Sequence, residues 1–207
     1  SCTLPPGSEA TPDTAGMAPI RTQFALDVDV NLFSEQPGSM PTVRTWTRAE
    51  DEEIILTHIR TLRKTADLVI VAVHWGAPAY WLSPAQGRLT TYQQPLGHAF
   101  IDAGADIVYG HHSHALNPIE VYNGKPIFYS AGNFIFEEPR VHMEPESMLV
   151  QLFLGDELEI SIVPLYIDDR GLPILATGEL ADHVFDTLEG FSREFGTRFA
   201  RHGDRAT

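Results

Sequence analysis

Residues 106–114 read Asp-Ile-Val-Tyr-Gly-His-His-Ser-His, and the interpretation of the whole chain starts from them. The apolar segment Asp106–Tyr109 runs into a glycine, and three histidines follow within four residues. Imidazole is a borderline ligand that suits Zn, Fe, Mn or Ni, and a turn at the end of a strand can direct two rings towards one point. The stretch therefore predicts a buried strand that ends at a metal site.

A second strand with the same kind of ending lies upstream. The apolar run Leu68–Val73 is followed by His74-Trp75-Gly76, and between the two strands Tyr92–Ala103 has the pattern of a helix that Gly104 ends. A strand–helix–strand order predicts a right-handed crossover and adjacent parallel strands, buried on both faces. The histidines that follow the two strands should then lie at one edge of a sheet, in an α/β protein.

These histidines are the candidate metal ligands. His112 and His114 have the spacing at which alternate residues of an extended segment share a face, and His74 can supply a further ligand to the same ion. We predict His74, His112 and His114 as ligands, although the spacing does not decide which of the imidazoles bind directly. His111 is predicted to support catalysis, as is Asn133, for which a turn-forming role is equally open.

Other residues near these strands have less decisive patterns. The aromatic residues Trp75, Tyr80 and Trp81 can form a substrate wall or simply pack the loop. Arg88 and Arg140 are candidate anion anchors if the fold brings them near the site. His58, His98 and His142 complete this group; the first two are predicted to be structural, and the third lies in a loop that can cover the site.

The N-terminal third predicts a strand and a helix after a loop or tail over residues 1–20. Alternation in Arg21–Asn31 favours a strand with Leu26, Val28 and Val30 towards the core and two aspartates towards water. Thr47-Arg48-Ala49-Glu50 has the form of a capping box. It predicts a helix to about Ala66 whose apolar face carries Ile54, Ile55, His58, Ile59 and Leu62.

The second half predicts two hairpins and a final helix. Ile119–Tyr122 and Pro126–Ser130 flank Asn123-Gly124, which is a strong hairpin signal. Ser147–Leu154 and Leu158–Tyr166 flank a second turn, and the last helix is predicted over residues 182–200. The whole chain, 1–207, is predicted to form part of one domain.

Composition excludes several classes of function. The formal charge of −14 argues against nucleic-acid binding, which needs clustered Lys and Arg. A single cysteine, Cys2, excludes an internal disulfide framework and a cysteine-rich zinc finger. The sequence has no apolar run of about 18 residues, so no transmembrane helix is predicted.

The first residue offers a second chemistry. The sequence starts with Ser1 and without an initiator Met, which is compatible with a fragment or with proteolytic processing. A processed chain can use an N-terminal serine as a nucleophile that its own α-amine activates. This hypothesis predicts an amide hydrolase that does not depend on metal.

A series of motifs gives the chain a family resemblance. Val73–Gly76, Gln86, Ile101–Asp106, Gly110–His114 and Lys125–Phe134 follow one another in an order that resembles the CapA family, named for poly-γ-glutamate capsule biosynthesis. That family looks like a branch of the calcineurin-like metallophosphoesterases. The resemblance covers roughly Leu68–Phe136, with Ala77–Tyr80 where the family carries a Glu-Tyr pair and Ser113 where it carries Pro.

The resemblance implies a fold, a cofactor and a partner. The fold would be a sandwich of two mixed sheets flanked by helices, with two divalent ions (Mn, Zn or Fe) at the strand ends. The family's first half carries an Asp motif and an Asn-His motif that supply ligands and the general acid, and this sequence lacks both. The chain therefore resembles the C-terminal half, and a companion polypeptide is expected to carry the rest.

Three functions follow from these observations. The first is a metal-dependent hydrolase of the CapA type that acts on an amide, γ-glutamyl or phosphoester bond through an activated water. The second is the Ser1-dependent amide hydrolase. The third is a non-catalytic component of a capsule-synthesis complex.

Overall fold

The computed structural model describes residues 1–2, 7–36, 38, 41–76, 86–135 and 144–207, with the side chain of Phe33 left out. Over these ranges the chain has a mixed α/β fold with three sheets. The elements are β1 (Thr22–Asp27), α1 (Val30–Glu35), β2 (Thr42–Thr47), α2 (Ala49–Leu62), β3 (Ile70–His74), α3 (Gln93–Asp102), β4 (Ile107–His111), β5 (Ile119–Tyr122), β6 (Lys125–Phe128), β7 (Glu146–Leu154), β8 (Leu158–Ile167), β9 (Pro173–Leu175) and α4 (Glu179–Ser192), followed by a 3₁₀ turn at Arg193–Phe195.

The central sheet positions the candidate site. Its four strands have the order β3-β4-β6-β5, and β3 pairs with β4 in parallel so that His74 lies opposite His111. The predicted strand–helix–strand unit is confirmed, and α3 gives way to Gly104 with φ 115°. In the described part of the chain β3 is an edge strand.

The predicted burial of β3 on both faces is wrong. Val73 is 4% exposed, whereas Ile70 is 46% exposed. The reason is that the residues of β3 pack with α2 and α3 on one side only, and the second core draws its central-sheet residues from β4, β5 and β6.

Two apolar cores lie on opposite faces of this sheet. Neighbouring residues such as Ile107 and Val108 alternate between them, as expected for a pleated strand. The first core joins the sheet to α2 and α3, and the second joins it to α4 and the β7–β8 hairpin. The first includes Leu56, Ile59, Trp75, Leu96, Phe100 and Tyr129, and the second includes Phe128, Met148, Ile162, Val184, Phe185 and Leu188.

Both predicted hairpins are confirmed. Strands β5 and β6 are antiparallel around Asn123 and Gly124, with φ angles of 50° and 75° that suit a tight hairpin turn. Strands β7 and β8 pair over their whole length, and β9 joins the other edge of β8. The amide of Met148 donates to the carbonyl of Ala131 at 3.0 Å, so the hairpin is tied to the chain that leaves the central sheet.

The terminal helix is shorter than predicted. It spans Glu179–Ser192 instead of residues 182–200, and the 3₁₀ turn after it ends at Gly196 with φ 70°. A left-handed residue at that point stops a helix, and glycine adopts this conformation at little cost. None of the helices that the structure describes is both long and apolar enough to span a membrane.

The prediction for Arg21–Asn31 is wrong beyond Asp27. The strand ends there because Asp29 caps α1, its Oδ1 accepting from the amides of Asn31 and Leu32 at 2.9 and 3.1 Å. Among the described strands β1 pairs with β2 alone, so the residues predicted to face the core are exposed. Leu26, Val28 and Val30 are 48%, 54% and 72% exposed.

Helix α2 also differs from its prediction. It starts after Arg48 without a side-chain cap, and the Thr47 hydroxyl donates to Glu52 rather than forming a capping box with Glu50. The buried face holds Asp51, Leu56 and Ile59, whereas Ile54, His58 and Leu62 are exposed. The helix is turned because Asp51, 8% exposed, accepts from the amide and guanidinium of Arg21 at 2.8 and 3.0 Å.

One carboxylate joins three elements at the start of β4, the end of the strand opposite to the histidines. Asp106, just before β4, accepts from Arg63 of the turn after α2 at 2.6 Å, from the amide of Val69 at 2.8 Å and from Lys125 at the start of β6 at 3.0 Å. Burial raises the pKa of Asp106, but the Val69 amide and the two cations lower it more, so its pKa lies below the ordinary value of 3.8.

Asp106→Asn is expected to lower the free energy of unfolding at pH 7 by about 2 kcal/mol, because a neutral amide replaces the charged acceptor of Arg63 and Lys125. A carboxyl whose pKa is lowered in the folded state stabilises above its unfolded pKa and loses that contribution as pH falls through the folded pKa. Urea unfolding should therefore give a wild-type–variant difference that shrinks below about pH 4. Asp27→Asn, at an exposed ion pair with Arg44, is the control with a smaller loss; an equal loss in both variants would contradict the prediction.

Candidate functional site

The site is built where two parallel strands end side by side. After His111 the chain leaves β4 through backbone conformations that side chains rarely adopt, with φ 118° at His112 and 55° at His114. Such conformations cost energy and persist where the surrounding contacts hold them. They turn the segment sharply, so that the His112 ring faces β3.

The rings of His74 and His112 meet directly. Nε2 of His74 lies 2.8 Å from Nδ1 of His112, and the ring centroids are 4.6 Å apart at an angle of 64°. One nitrogen donates and the other accepts, which requires that at least one ring be neutral. The structure therefore brings together two of the three predicted ligands by their nitrogen atoms.

His114 is oriented by Asn133. Its Nδ1 lies 2.7 Å from Oδ1 of Asn133, and because an amide oxygen only accepts, Nδ1 carries the proton. The Asn133 amide also donates to the His114 carbonyl at 3.4 Å. Asn133 therefore fixes the tautomer and the direction of this ring, as a partner of a metal-binding histidine commonly does.

The turn that carries Asn133 is held by β7. The Ser147 hydroxyl lies 2.9 Å from the Ala131 carbonyl and also contacts the Asn133 carbonyl. Gly132 between them has φ 78°, and a Cβ there would lie 2.9 Å from the carbonyl oxygen of Glu146. Only glycine fits this turn against the strand, which explains the Gly-Asn pair.

Burial keeps three of the rings neutral. Burial first, and then the neighbouring His74 and His114, lower the pKa of His112 to about 4. Burial is also the main cause that lowers the pKa of His74, and nearby imidazoles lower it further. For His111, burial lowers the pKa more than the backbone hydrogen bond with Gly132 raises it. Neutral imidazole is the form that binds metal.

Trp75 and Gly110 hold the two strand ends together, and sequence reasoning did not identify this role. The Trp75 indole, 1% exposed, donates to the Tyr129 carbonyl at 2.8 Å and stacks on the Tyr129 ring at 5.5 Å. A Cβ on Gly110 would lie 2.4 Å from the indole nitrogen and 2.3 Å from that carbonyl. Trp75 therefore packs the core rather than forming a substrate wall; a glycine just before the histidines was the signal available.

Several other predicted residues lie elsewhere. Nε2 of His98 donates to the Glu120 carboxylate at 2.8 Å at the far edge of the sheet, on β5, in agreement with a structural role, whereas His58 is exposed on α2. Arg88 lines a cavity with the 3₁₀ turn. Tyr80, Trp81, Arg140 and His142 lie outside the described residues.

Ser1 lies beside β3. Its hydroxyl donates to the His74 carbonyl at 3.3 Å and its amine to the Ala18 carbonyl at 2.6 Å. An apolar cavity of about 390 Å³ adjoins it and is lined by Ile20, Val73, Phe100, His74 and His111, among others. The predicted nucleophile and the histidines thus border one cavity.

The metal assignment stays a prediction. Within the ranges that the structure describes, no group of three or more His, Cys, Asp or Glu side chains is arranged to hold a metal ion. His74 and His112 supply two facing nitrogens, and His114 is oriented separately by Asn133. A metal at this edge would need further ligands.

Comparison with known proteins identifies the family. Residues 8–138 match the family described as "Bacterial capsule synthesis protein PGA_cap". The chain belongs to this family. The matched residues include both strand ends, the Trp75–Gly110 contact, and the turn with Asn133, so the predicted resemblance is confirmed.

Members of this family with curated descriptions are longer than the region they share with this chain. The PGA biosynthesis protein CapA of Bacillus subtilis is 43% identical over 118 residues, which cover 57% of this chain and 27% of that protein. The capsule biosynthesis protein CapA of Bacillus anthracis is 35% identical over 152 residues, which cover 70% of this chain and 33% of that protein. A probable polyglutamine synthesis accessory protein of Mycobacterium tuberculosis is 31% identical, and the match covers 69% of this chain and 38% of that protein.

Proposed function

We propose that this chain supplies the histidine side of a metal-dependent hydrolase site of the CapA type, which acts in the synthesis of a poly-γ-glutamate capsule. The observation that carries the proposal is the pair of imidazole nitrogens, His74 Nε2 and His112 Nδ1, that face each other at 2.8 Å where two parallel strands end. Strand ends at the edge of such a sheet are a common place for ligand sites.

The donor set fits divalent metal only in part. The His74–His112 nitrogen distance is that of a hydrogen bond, so these two nitrogens would hold an ion only after giving up that bond. His114 is held in one tautomer by Asn133, with Nε2 left as its coordinating atom. These nitrogens suit Zn, Mn or Fe, while the oxygen ligands that a di-metal site needs must come from elsewhere.

We propose that a companion segment outside this sequence supplies those oxygen ligands and the general acid. The shared region covers 27–38% of the three relatives, which leaves room for such a segment in the family. The calcineurin-like sandwich of two mixed sheets is part of the same proposal. In that arrangement β3, an edge strand in the described chain, would lie inside the completed sheet.

Each residue of this chain has a defined task in the proposal. His74, His112 and His114 bind the ions, which when bound supply a nucleophilic water and polarise the oxygen of the scissile group. Asn133 orients His114, and His111, half-buried between Tyr109 and the Gly132 backbone, supports the turn. The apolar cavity beside His74 and His111 excludes water from one side of the bond to be cut.

The substrate in this proposal is a phosphoester or an amide, and the resemblance to the CapA family favours a γ-glutamyl amide. The deciding experiment is the metal content of the full-length native protein by mass spectrometry, with the mass of any co-purifying chain. About one to two ions per molecule are expected; fewer than about 0.2 would overturn the proposal, because metal sites fill stoichiometrically.

The same preparation tests the two alternatives. Activity that survives chelation but is lost in Ser1→Ala would favour the N-terminal serine hydrolase. The observation that supports this alternative is the hydrogen bond from the Ser1 hydroxyl to the His74 carbonyl. A metal-free protein that assembles with capsule-synthesis partners and shows no turnover would favour the non-catalytic component.

A further inference from the structure

Three arginines of the described chain differ from the rest. Eleven arginines lie in the described ranges; seven of them form ion pairs with carboxylates, and Arg205 bonds to Gln151. Arg88, Arg193 and Arg198 form no ion pair within the same ranges. On a chain with a net charge of −14, guanidinium groups without a carboxylate partner need a cause.

All three line two polar cavities around the 3₁₀ turn. One cavity, of about 500 Å³, is lined by Arg193, Thr197 and Arg198 as the chain bends at Gly196. The other, of about 640 Å³, is lined by Arg88, Thr90, Thr91, Gln94 and Glu194. Arg193 and Glu194 are adjacent in the turn, so both cavities border the same short segment.

A second polar group in the first cavity lacks a partner. The hydroxyl oxygen of Thr197 is buried, and among the described residues it has no hydrogen-bond partner. Buried hydroxyls are normally bonded, so this one marks a place for an acceptor. Glu189 also lines the cavity, but its carboxylate accepts from Arg201 at 2.9 Å and forms no hydrogen bond with the Thr197 hydroxyl.

We propose that these two cavities form a site for a ligand that carries oxyanion groups, carboxylate or phosphate. A guanidinium binds both with paired hydrogen bonds, and the Thr197 hydroxyl adds a donor. The site does not depend on the proposed function, since Arg193, Thr197 and Arg198 lie beyond the family-matched residues 8–138. It is connected to the histidine turn, because the Gly87 amide next to Arg88 donates to Asn117 at 2.9 Å.

The test is isothermal titration calorimetry on the full-length protein at low salt, with two probes. Inorganic phosphate represents a free anion, and a short γ-linked glutamate oligomer represents a polymer with repeated carboxylates. Binding of at least one probe is expected, and a clear preference between them identifies the source of the oxyanion. Arg193→Gln/Arg198→Gln should weaken binding about tenfold or more, since charge-assisted contacts to both groups are lost.

Two further variants give the result a sign. Glu194→Gln should strengthen binding severalfold, because it removes the negative charge that lines the second cavity. Arg60→Gln is the matched control, as Arg60 is an exposed arginine paired with Glu53 at 2.8 Å on α2, and should leave binding within about twofold.

The proposal is overturned if neither probe binds the wild type below about 10 mM, or if Arg60→Gln weakens binding as much as the double variant does. Thermal unfolding checks that each variant is folded. If the double variant is not, the single variants Arg193→Gln and Arg198→Gln, both at exposed positions, provide the comparison.

Discussion

His112→Ala in the full-length protein is expected to reduce the bound metal to less than about a tenth of the wild-type content and to lower any hydrolytic rate by about 100-fold or more. The substitution removes the ring whose Nδ1 faces His74 Nε2 at 2.8 Å. Among the described residues, His112 is the one imidazole that bonds to His74, and the substitution therefore leaves His74 Nε2 without a second imidazole beside it. Metal analysis and turnover of a generic phosphoester and a γ-glutamyl amide measure the two effects.

His58→Ala is the control for this experiment. His58 is exposed on α2 and lies outside the site, so its loss should change neither metal content nor rate. If His112→Ala kept the wild-type metal content in a folded protein, His112 would not be a ligand. If both variants lost metal equally, the loss would be an effect of fewer histidines on non-specific binding.

Gly110→Ala is expected to lower the free energy of unfolding by more than about 3 kcal/mol, or to prevent soluble expression. Its Cβ would lie 2.3 Å from the Tyr129 carbonyl and 2.4 Å from the Trp75 indole nitrogen. To make room, either the indole hydrogen bond must break or β4 must separate from β6, and both changes reach the core. Urea unfolding and soluble yield measure the effect.

Gly190→Ala provides the matched control. Gly190 lies within α4, and a Cβ there meets nothing within 4 Å, so alanine should leave stability unchanged or raise it by up to about 1 kcal/mol. A Gly110→Ala protein as stable as this control would show that the strand ends tolerate displacement, and the close packing described above would not constrain the site.

The sequence was most informative where local pattern and long-range packing agree. The apolar runs before His74 and His111, with a helix between them, predicted the parallel pair, and the structure places these two histidines opposite each other. Asn123-Gly124 predicted its hairpin because few turns other than the one observed accept both residues. The family followed from motifs at these same positions.

The N-terminal third shows why alternation alone is insufficient. Leu26, Val28 and Val30 alternate as a buried strand would, yet the two-stranded ribbon β1–β2 has no described layer over this face. Asp29 then caps a helix instead of extending the six residue pairs of the ladder. In α2, the ion pair of Asp51 with Arg21, thirty residues away, sets the buried face, and a helical periodicity cannot contain that information.

The site was predictable in its residues but not in its contacts. That His112 faces His74 depends on a backbone angle of 118°, which residue types do not indicate. For Asn133 the sequence left an orienting role and a turn-forming role equally open; its amide oxygen accepts from His114, while the left-handed residue of the turn is Gly132 and the catalytic role of Asn133 stays a prediction. Trp75 was read as a choice between substrate contact and packing, and only the Tyr129 carbonyl, 54 residues away, decides it.

Through the Ser147 contacts, the second hairpin influences how often the turn that carries Asn133 opens. Because the Ser147 hydroxyl contacts the carbonyls on both sides of Gly132, the turn is held in this shape while β7 stays in place. Partial opening of β7 near Ser147 would release Asn133 and let the His114 ring rotate, while the first core remained closed. Amide hydrogen exchange at Met148, whose N–H is bonded to Ala131, would then report the lifetime of the competent site rather than that of the fold.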